Sequence, residues 1–302
     1  VDLENIDQLS LAPISEVDKK IAREKEIKES LKKNNKKQKK KEKMIKEAAS
    51  NLKNKEFYLE GHQDYDQQAQ KDFEYYLYDK EIECPVCSHE FEVKKIRNSR
   101  LRINRVREDL RPIYKNFKLY YYNIWSCPNC YFTARINDFN DFSKHRRKKI
   151  KKSFKKLVKK DLSKNFKINF EEPRSINTVL DAYYLAVKLY NFANCSEDKK
   201  GFLWREISWI YEDLEEKDLS EKASQKALEH LKEYYFKDDS QKDKTESDNI
   251  TLLLAVLYYK HGSPQKALPL LDDLIRDARV NLRQKNKARD LFMKIREENN
   301  DK

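Results

Sequence analysis

Hydrophobic and polar positions divide the chain into segments of different periodicity. Short runs of β-branched and aromatic residues around Phe91 and Val93 and at residues 119–125 predict strands within residues 81–139. From residue 143 to 164 the pattern is helical, with one apolar stripe on an otherwise cationic segment. That stripe consists of Ile150, Phe154, Leu157, Val158 and Leu162. After a linker at residues 168–177, the rest of the sequence has helical periodicity.

The helical half contains a repeated pattern with a period of about 34 residues. Trp204-x-x-Ile207-Ser208-x-x-Tyr211 resembles the W-x-x-L-G-x-x-Y pattern of tetratricopeptide helices. The next unit keeps this register if residues 235–247 form an inserted loop. The positions that fit the pattern are Trp204, Ile207, Tyr211, Ala227, Tyr258, Gly262 and Ala267.

Such repeats pack because small residues let paired helices approach and aromatic residues fill the gaps between them. Each pair buries one face on its neighbour, and the stack presents a concave surface to a protein partner. A generic helical bundle with chance matches to the pattern is the alternative.

The N-terminal segment, residues 1–55, differs from the rest because it has no apolar face. No apolar residue occurs from Lys32 to Lys43. We therefore predict a Lys-rich extension that is disordered or a solvated helix.

Charge is unevenly distributed along the 302 residues, whose formal net charge is +13. Residues 1–55 carry +6 and residues 140–167 carry +11, which leaves −4 for the remainder. The basic pI is therefore weak evidence that the folded parts bind nucleic acid.

The composition excludes several classes of protein. With 3 glycines in the chain, neither a Gly-rich phosphate loop nor a turn-dense β-sandwich can be built. No run of apolar residues is long enough to span a membrane, and the acidic start of the sequence does not match a signal peptide. We therefore expect a cytoplasmic protein, in which thiols stay reduced.

Two pairs of cysteines form the strongest motif in the sequence. Cys84-Pro85-Val86-Cys87 and Cys127-Pro128-Asn129-Cys130 each allow two thiolates to approach one ion from a tight turn. Together they predict one zinc ion in a tetrahedral four-cysteine site, held on a ribbon of strands. Because four cysteines close the coordination shell, the zinc is expected to be structural. The fifth cysteine, Cys195, lies alone in an apolar stretch and is expected to be a small buried residue.

Three other interpretations of the cysteine pairs remain open. They are a thioredoxin-like redox centre, two structural disulfides, and iron bound by the same four thiolates. His89 follows Cys87 closely enough to compete as a ligand, although we expect an exposed loop histidine.

The chain resembles a bacterial family of uncharacterised proteins, the domain of unknown function family numbered 2225. The resemblance extends over about residues 78–298 and implies a zinc-ribbon-type head followed by tetratricopeptide-like helices. The family tends to have glycine after each cysteine pair, where this chain has Ser88 and Tyr131. No established activity comes with the resemblance. The residues that carry it are Tyr78 to Cys87, Arg97, Ser99, Arg100, Arg102, Asp109, Leu110, Tyr114, Tyr121 and Cys127 to Cys130.

The sequence therefore predicts an α+β fold that is mostly α. A small zinc-ribbon-like β head is followed by a tetratricopeptide-like helical stack, and the Lys-rich extension precedes both. The predicted division is an extension at residues 1–55, a zinc-ribbon-like domain at 56–139, a basic amphipathic helix and linker at 140–177, and a helical domain at 178–302.

For the function, our first hypothesis is a non-enzymatic adaptor or scaffold that binds an unidentified protein partner through its helical repeats. No catalytic constellation is found, because the five histidines have no metal or nucleophile-base spacing. No small-molecule substrate is indicated. Adjacent carboxylates such as Glu171-Glu172 and Asp272-Asp273 keep an enzyme as a third alternative.

The second hypothesis is a protein that binds RNA or DNA through two basic segments, residues 97–107 and 144–160. Tyr120, Tyr121, Tyr122 and Trp125 would then stack bases beside those charges. In the structural alternative, these aromatics form the core around the metal site and the lysines face water. The candidate contacts are Arg97, Arg100, Arg102, Arg105, Arg107, Arg146, Arg147, Lys148 and Lys149.

Overall fold

The computed structural model describes residues 57–69, 71–161, 170, 172–237 and 244–300. The predicted Lys-rich extension lies outside these residues. All the described residues fall within one compact unit, Asn54–Lys302. None of the helices in the described ranges is long and apolar enough to cross a membrane.

The head consists of a short helix and three antiparallel hairpins, in agreement with the strands predicted around Phe91 and Val93. Each hairpin is a separate two-stranded sheet. The elements are α1 (Phe73–Tyr76), β1 (Leu77–Glu83), β2 (Glu90–Ile96), β3 (Ile103–Val106), β4 (Pro112–Tyr114), β5 (Ile124–Ser126) and β6 (Thr133–Arg135).

The strand prediction for residues 119–125 is wrong in its first half. Leu119–Tyr122 forms a 3-10 helix, and β5 begins at Ile124. Three consecutive tyrosines, Tyr120, Tyr121 and Tyr122, are buried here. A strand would direct alternate side chains to opposite faces. The 3-10 turn directs these three side chains about 120° apart, and all three are buried because β2, β5 and the helix Ile176–Phe192 pack around the turn.

The amphipathic helix predicted from residue 143 is present as α2 (Lys144–Asp161). Its apolar stripe is buried at Ile150, Phe154 and Val158. The Phe154 ring contacts Phe192 at a centroid distance of 5.5 Å, so the stripe is covered by the protein's own helices.

Six further helices form the stack, and each packs on the next along the chain. With this stack, the predicted α+β, mostly α fold is confirmed. The predicted loop at residues 235–247 is shorter than expected, because helices extend into both of its ends. The helices are α3 (Ile176–Phe192), α4 (Glu197–Asp213), α5 (Lys217–Phe236), α6 (Lys244–Lys260), α7 (Pro264–Arg276) and α8 (Leu282–Asn300).

Helices α4 and α5 approach most closely at Gly201. A Cβ atom on this residue would lie 2.7 Å from Cγ of Leu231, which is fully buried. The absence of a side chain at Gly201 therefore sets the distance between the two helices.

The head and the stack share one core. Helix α3 packs on β5 and β6, and the Tyr183 hydroxyl donates to the Tyr120 carbonyl at 2.7 Å. The backbone N–H of Arg135 donates to the Tyr190 hydroxyl at 3.2 Å. The predicted boundary at 139/140 falls between the head strands and α2, whereas the one at 177/178 lies inside α3, which begins at Ile176. Both stay sequence-based divisions within a continuous core.

Candidate metal centre and charged surfaces

The two cysteine pairs lie in the turns of two hairpins that have the same local backbone geometry. In the β1–β2 turn, Cys84 N–H donates to the His89 carbonyl at 2.9 Å, and Ser88 N–H donates to the Cys84 carbonyl at 2.9 Å. In the β5–β6 turn, the equivalent bonds join Cys127 to Phe132 at 2.8 Å and Tyr131 to Cys127 at 2.9 Å. Each pair is thus held on a hydrogen-bonded turn between two strands.

The residue after each cysteine pair has a left-handed backbone conformation. The φ angle is 58° at Ser88 and 62° at Tyr131. Only glycine adopts such angles without cost. The chain therefore builds both turns with a non-glycine residue in a left-handed conformation.

The four sulfur atoms converge on one point between the two turns. All four Sγ atoms lie within 4.8 Å of one another, and Cys84–Cys130 and Cys87–Cys127 are each 3.6 Å apart. A tetrahedral site with metal–sulfur bonds of about 2.3 Å requires sulfurs about 3.8 Å apart. The cysteine cluster, meaning these four residues, thus has the spacing of a four-thiolate metal site.

Hydrogen bonds to the sulfurs and the charge of the cluster also fit a metal. The Val86 N–H lies 3.5 Å from the Cys84 Sγ, and the Asn129 side-chain amide lies 3.6 Å from the Cys87 Sγ. Hydrogen bonding from Cys130 and Cys84 lowers the pKa of Cys127, while hydrogen bonding with Cys127 raises the pKa of Cys84. Four thiolates this close repel one another unless a cation neutralises them.

The other candidate ligands lie outside the cysteine cluster. His89 is exposed and stacks beside Phe91 at a centroid distance of 6.3 Å, so it is a loop residue. Cys195 is buried between α3 and α4, and burial raises the pKa of its thiol to about 11. Among the described residues, the cysteine cluster is the one group of three or more such side chains able to hold a metal.

The arginines of segment 97–107 are in part engaged by the protein itself. Arg107 forms an ion pair with Glu212 of α4 at 2.5 Å, which removes it from the exposed set that sequence reasoning proposed. Arg97 donates to the Leu77 carbonyl at 3.1 Å, and Arg100 lies over the Tyr75 ring at 4.9 Å. Arg102 donates to two carbonyls of its own turn, and Arg105 is exposed.

The aromatic residues proposed to stack bases are mostly buried and bonded. Tyr120 and Tyr121 donate to the Asp213 carboxylate, Tyr122 donates to Glu172, and Trp125 donates to the Lys94 carbonyl. These side chains therefore belong to the core around the head, as the structural alternative expected.

The cations of α2 differ from those of segment 97–107. Arg146, Arg147 and Lys149 donate to the carbonyls of Asn194, Asn140 and Phe192. Lys148 and Lys149 are exposed, as are six other lysines of the same helix, namely Lys144, Lys151, Lys152, Lys156, Lys159 and Lys160. Within the described part of the chain, none of the α2 cations forms an ion pair with a carboxylate.

The structure also brings together a serine, a histidine and a glutamate that sequence spacing did not reveal. The His261 Nε2 lies 3.0 Å from the Ser224 Oγ, and its Nδ1 lies 2.6 Å from a Glu221 carboxylate oxygen. The connectivity is that of a hydrolase triad. However, Ser224 is only 1% exposed, inside the contact between α5 and α6, where no substrate reaches it. The trio therefore joins two helices.

The carboxylate pairs named in the sequence are structural or exposed. Glu172 forms an ion pair with Arg174 at 3.2 Å, and its neighbour Glu171 lies outside the described residues. Asp272 pairs with Arg276 on the surface of α7 at 2.7 Å.

The residues that fit the helical repeat pattern lie in the contacts between helices. Trp204, Ile207 and Tyr211 are buried on α4, and Ala227 is buried on α5. Tyr258 and Ala267 are buried on α6 and α7. Gly262, in the turn between these helices, has a φ of 68°.

Comparisons with known proteins relate the chain to one bacterial family. Residues 77–295 match the family model described as "Uncharacterized protein conserved in bacteria (DUF2225)". An uncharacterised protein of Borreliella burgdorferi is 30% identical over 191 residues, which cover 58% of this chain and 68% of the relative. No solved structure matches the chain.

Proposed function

The chain belongs to the DUF2225 family of uncharacterised bacterial proteins, and we propose that it is a non-enzymatic zinc protein whose helical stack binds a protein partner. The observation that carries this proposal is the closed cysteine cluster. Four thiolates fill a tetrahedral shell, so a metal there has no position for water or substrate.

Zinc is the metal that we infer, and its role is to hold two hairpins together. The donor set of four thiolates is that of structural zinc sites, and mononuclear iron is the alternative that metal analysis distinguishes. All five cysteines are free thiols, and the Cys84–Cys130 sulfur separation of 3.6 Å is far from a disulfide bond length of about 2.05 Å. Reduced thiols support a cytoplasmic location.

The adaptor role is supported by how the helices pack. Trp204, Tyr211 and Ala227 occupy the aromatic and small positions expected of tetratricopeptide-like pairs, and α4 to α7 give two successive pairs. Stacks of this kind use the surface opposite their packing faces for protein recognition. Enzymatic function is not part of the proposal, since the serine of the Ser224–His261–Glu221 trio is buried. A fluorophosphonate serine-hydrolase probe is therefore expected to leave Ser224 unlabelled.

Affinity capture tests the adaptor proposal. The tagged full-length chain is crosslinked in its own cells, captured with and without nuclease, and the crosslinks are mapped. We expect a stoichiometric protein that survives nuclease and crosslinks to α4, α6 or α8. Material that disappears with nuclease would contradict the proposal.

Nucleic-acid binding is the second candidate, and the observation that favours it is the unpaired cationic surface of α2. Its eight exposed lysines form no ion pair among the described residues, whereas its apolar stripe is already buried in the protein. Exposed lysines without ion pairs can bind the phosphate groups of a nucleic acid.

Charge reversal tests this second candidate with a matched control. The triple variant Lys148→Glu, Lys151→Glu, Lys152→Glu is expected to weaken binding to a duplex RNA probe at least tenfold and to flatten its salt dependence. The control variant Lys217→Glu, Lys232→Glu, Lys260→Glu makes the same net charge change on α5 and α6. Equal losses in both variants would show that α2 is not a specific contact surface.

A further inference from the structure

A cavity of about 500 Å³ lies between the head and helices α4, α6 and α8. Val106 and Pro112 of the β3–β4 hairpin form its head side, and Phe202 and Arg205 of α4 face them. Asn249 of α6 and Arg283 of α8 also line the cavity. The cavity therefore spans three helices of the stack and is closed on one side by the head.

Within the described part of the chain, the Arg205 guanidinium has no hydrogen bond and no ion pair with a carboxylate. The group is stacked on two rings, 5.0 Å from the Phe202 centroid and 4.6 Å from that of Trp209. Its Nε is buried without a hydrogen bond. The residue as a whole is half-buried, so the unpaired Nε is the part whose lost hydrogen bond costs free energy and needs a reason.

The nearest carboxylates are already engaged by other groups. Glu206 forms an ion pair with Arg135 at 3.0 Å and accepts from the Tyr183 hydroxyl at 2.7 Å. Asp109 accepts from the Trp209 indole N–H at 2.7 Å. Neither is within hydrogen-bond distance of Arg205.

Two further cations, Lys287 and Arg283, line the cavity and add positive charge. Arg135 lies over the same Phe202 ring, at 5.5 Å, but its charge is balanced by Glu206. Burial, followed by the charge of Arg283, lowers the pKa of Lys287. Burial lowers the pKa of Arg205 to about 10. An anion in the cavity would relieve both effects.

We propose that this cavity binds a carboxylate of an acidic peptide segment, with Arg205 as the residue that contacts the anion. The inference rests on the proposed adaptor function and names the chemistry of its partner. The charged groups alternate with amides such as Asn249, which can bond a peptide backbone, and with the apolar wall of Val106 and Pro112. A cavity walled by the head admits a side chain or a chain end, whereas an RNA duplex needs an open surface.

Peptide binding to the zinc-loaded full-length protein tests the proposal by fluorescence anisotropy. The probe is a labelled decapeptide pool with Glu or Asp at every second position, the other positions randomised, and a free C-terminus. A matched pool carries Gln or Asn instead and ends in an amide. We expect the acidic pool to bind at least tenfold more tightly than the neutral pool in physiological salt.

Variants locate the binding in the cavity. Arg205→Met and Arg283→Gln are each expected to weaken binding of the acidic pool about tenfold or more. Arg289→Gln removes the same charge from an exposed position on α8 and is expected to change binding less than twofold. Arg205→Met is also expected to keep or raise the melting temperature, because it removes a half-buried charge that has no ion pair while keeping the packing of the side chain.

Two results would overturn the proposal. They are absence of binding by the acidic pool and wild-type binding by Arg205→Met. A fall in the melting temperature of Arg205→Met with unchanged binding would assign the residue a structural role. Failure of the adaptor function is a separate result. A nuclease-resistant partner crosslinked elsewhere would support the adaptor function and contradict peptide binding in the cavity. Specific peptide binding without any captured partner would support binding in the cavity and contradict the adaptor function.

Discussion

The Arg111 Nη2 of the β3–β4 hairpin lies 2.5 Å from the Asp213 Oδ1 at the end of α4, although 102 positions separate the two residues in sequence. Their side chains are 5% and 13% exposed. Tyr120 and Tyr121 donate to the same carboxylate, and Lys118 pairs with it at 3.0 Å. This group of residues is a polar contact between the head and the stack.

The charge state of Asp213 should make the stability of the protein depend on pH. Burial alone raises the pKa of this carboxyl, but the charge of Arg111, the hydrogen bond from Tyr120 and the charge of Lys118 together hold it below its usual value. A depressed folded-state pKa adds stability above the unfolded-state pKa of about 3.9, and this stability is lost as pH falls through the folded value.

We therefore expect Asp213→Asn to lower the free energy of unfolding by about 3 kcal/mol at pH 7, because Arg111 loses its buried partner. The difference from the wild type should shrink as the pH falls below about 4. Urea unfolding at several pH values measures it, with the exposed Asp290→Asn as the control that changes nothing. A difference that stays constant down to pH 3 would contradict this account.

Two cysteine variants can show whether the cysteine cluster binds the metal. Cys87→Ser should reduce bound metal well below one ion per chain and destabilise the head, because three thiolates leave the site open. Cys195→Ala changes a buried cysteine outside the cluster and should keep the full metal content. Elemental analysis and thermal unfolding give both results. Equal metal loss in the two variants would show that the cluster is not the site.

The close approach of α4 and α5 predicts that Gly201→Ala changes stability in opposite directions in two backgrounds. Gly201→Ala should lower the free energy of unfolding by about 1–2 kcal/mol, because the clash with Leu231 outweighs the better helix propensity of alanine. In a Leu231→Ala background the clash is absent, and the same substitution should stabilise the protein. Denaturant unfolding of the four proteins in this cycle measures the coupling. Destabilisation by Gly201→Ala in both backgrounds would rule out the contact as the cause.

The left-handed turn after Cys87 should favour glycine. Ser88 is exposed, so Ser88→Gly loses little contact and should raise the free energy of unfolding by about 1 kcal/mol. Ser99→Gly, at an exposed serine without a positive φ, should lower it by about 0.5–1 kcal/mol. Chemical unfolding of the metal-loaded proteins checks both signs. A destabilising Ser88→Gly would show that the turn does not need a left-handed residue.

Features that depend on local spacing could be predicted from the sequence. The cysteine pairs, the buried stripe of α2 and the helical register around Trp204 are each set by residues within a few turns of one another. The conformation of residues 119–122 could not be predicted, because Tyr120 and Tyr121 are held by Asp213, more than 90 residues away. Local β propensity was outweighed by those distant partners.

Pairing between residues distant in sequence also limited what could be predicted for the charged sites. Arg107 looked like a free cation until its pairing with Glu212 of α4 was visible. Ser224, Glu221 and His261 meet only because α5 packs on α6, and Arg205 is distinctive only because no carboxylate reaches it. Sequence patterns give the types of charge present, whereas pairing between distant residues decides which charges remain available.

X-ray absorption at the metal edge of the purified full-length protein tests the central claim most directly, because it reports both the metal and its ligands. We expect zinc with four sulfur ligands at about 2.3 Å and no nitrogen or oxygen ligand. Such a closed shell means that the metal holds the two hairpins together. A site with fewer sulfurs and a bound water or other light atom would leave a coordination position open, and would contradict the structural, non-enzymatic role.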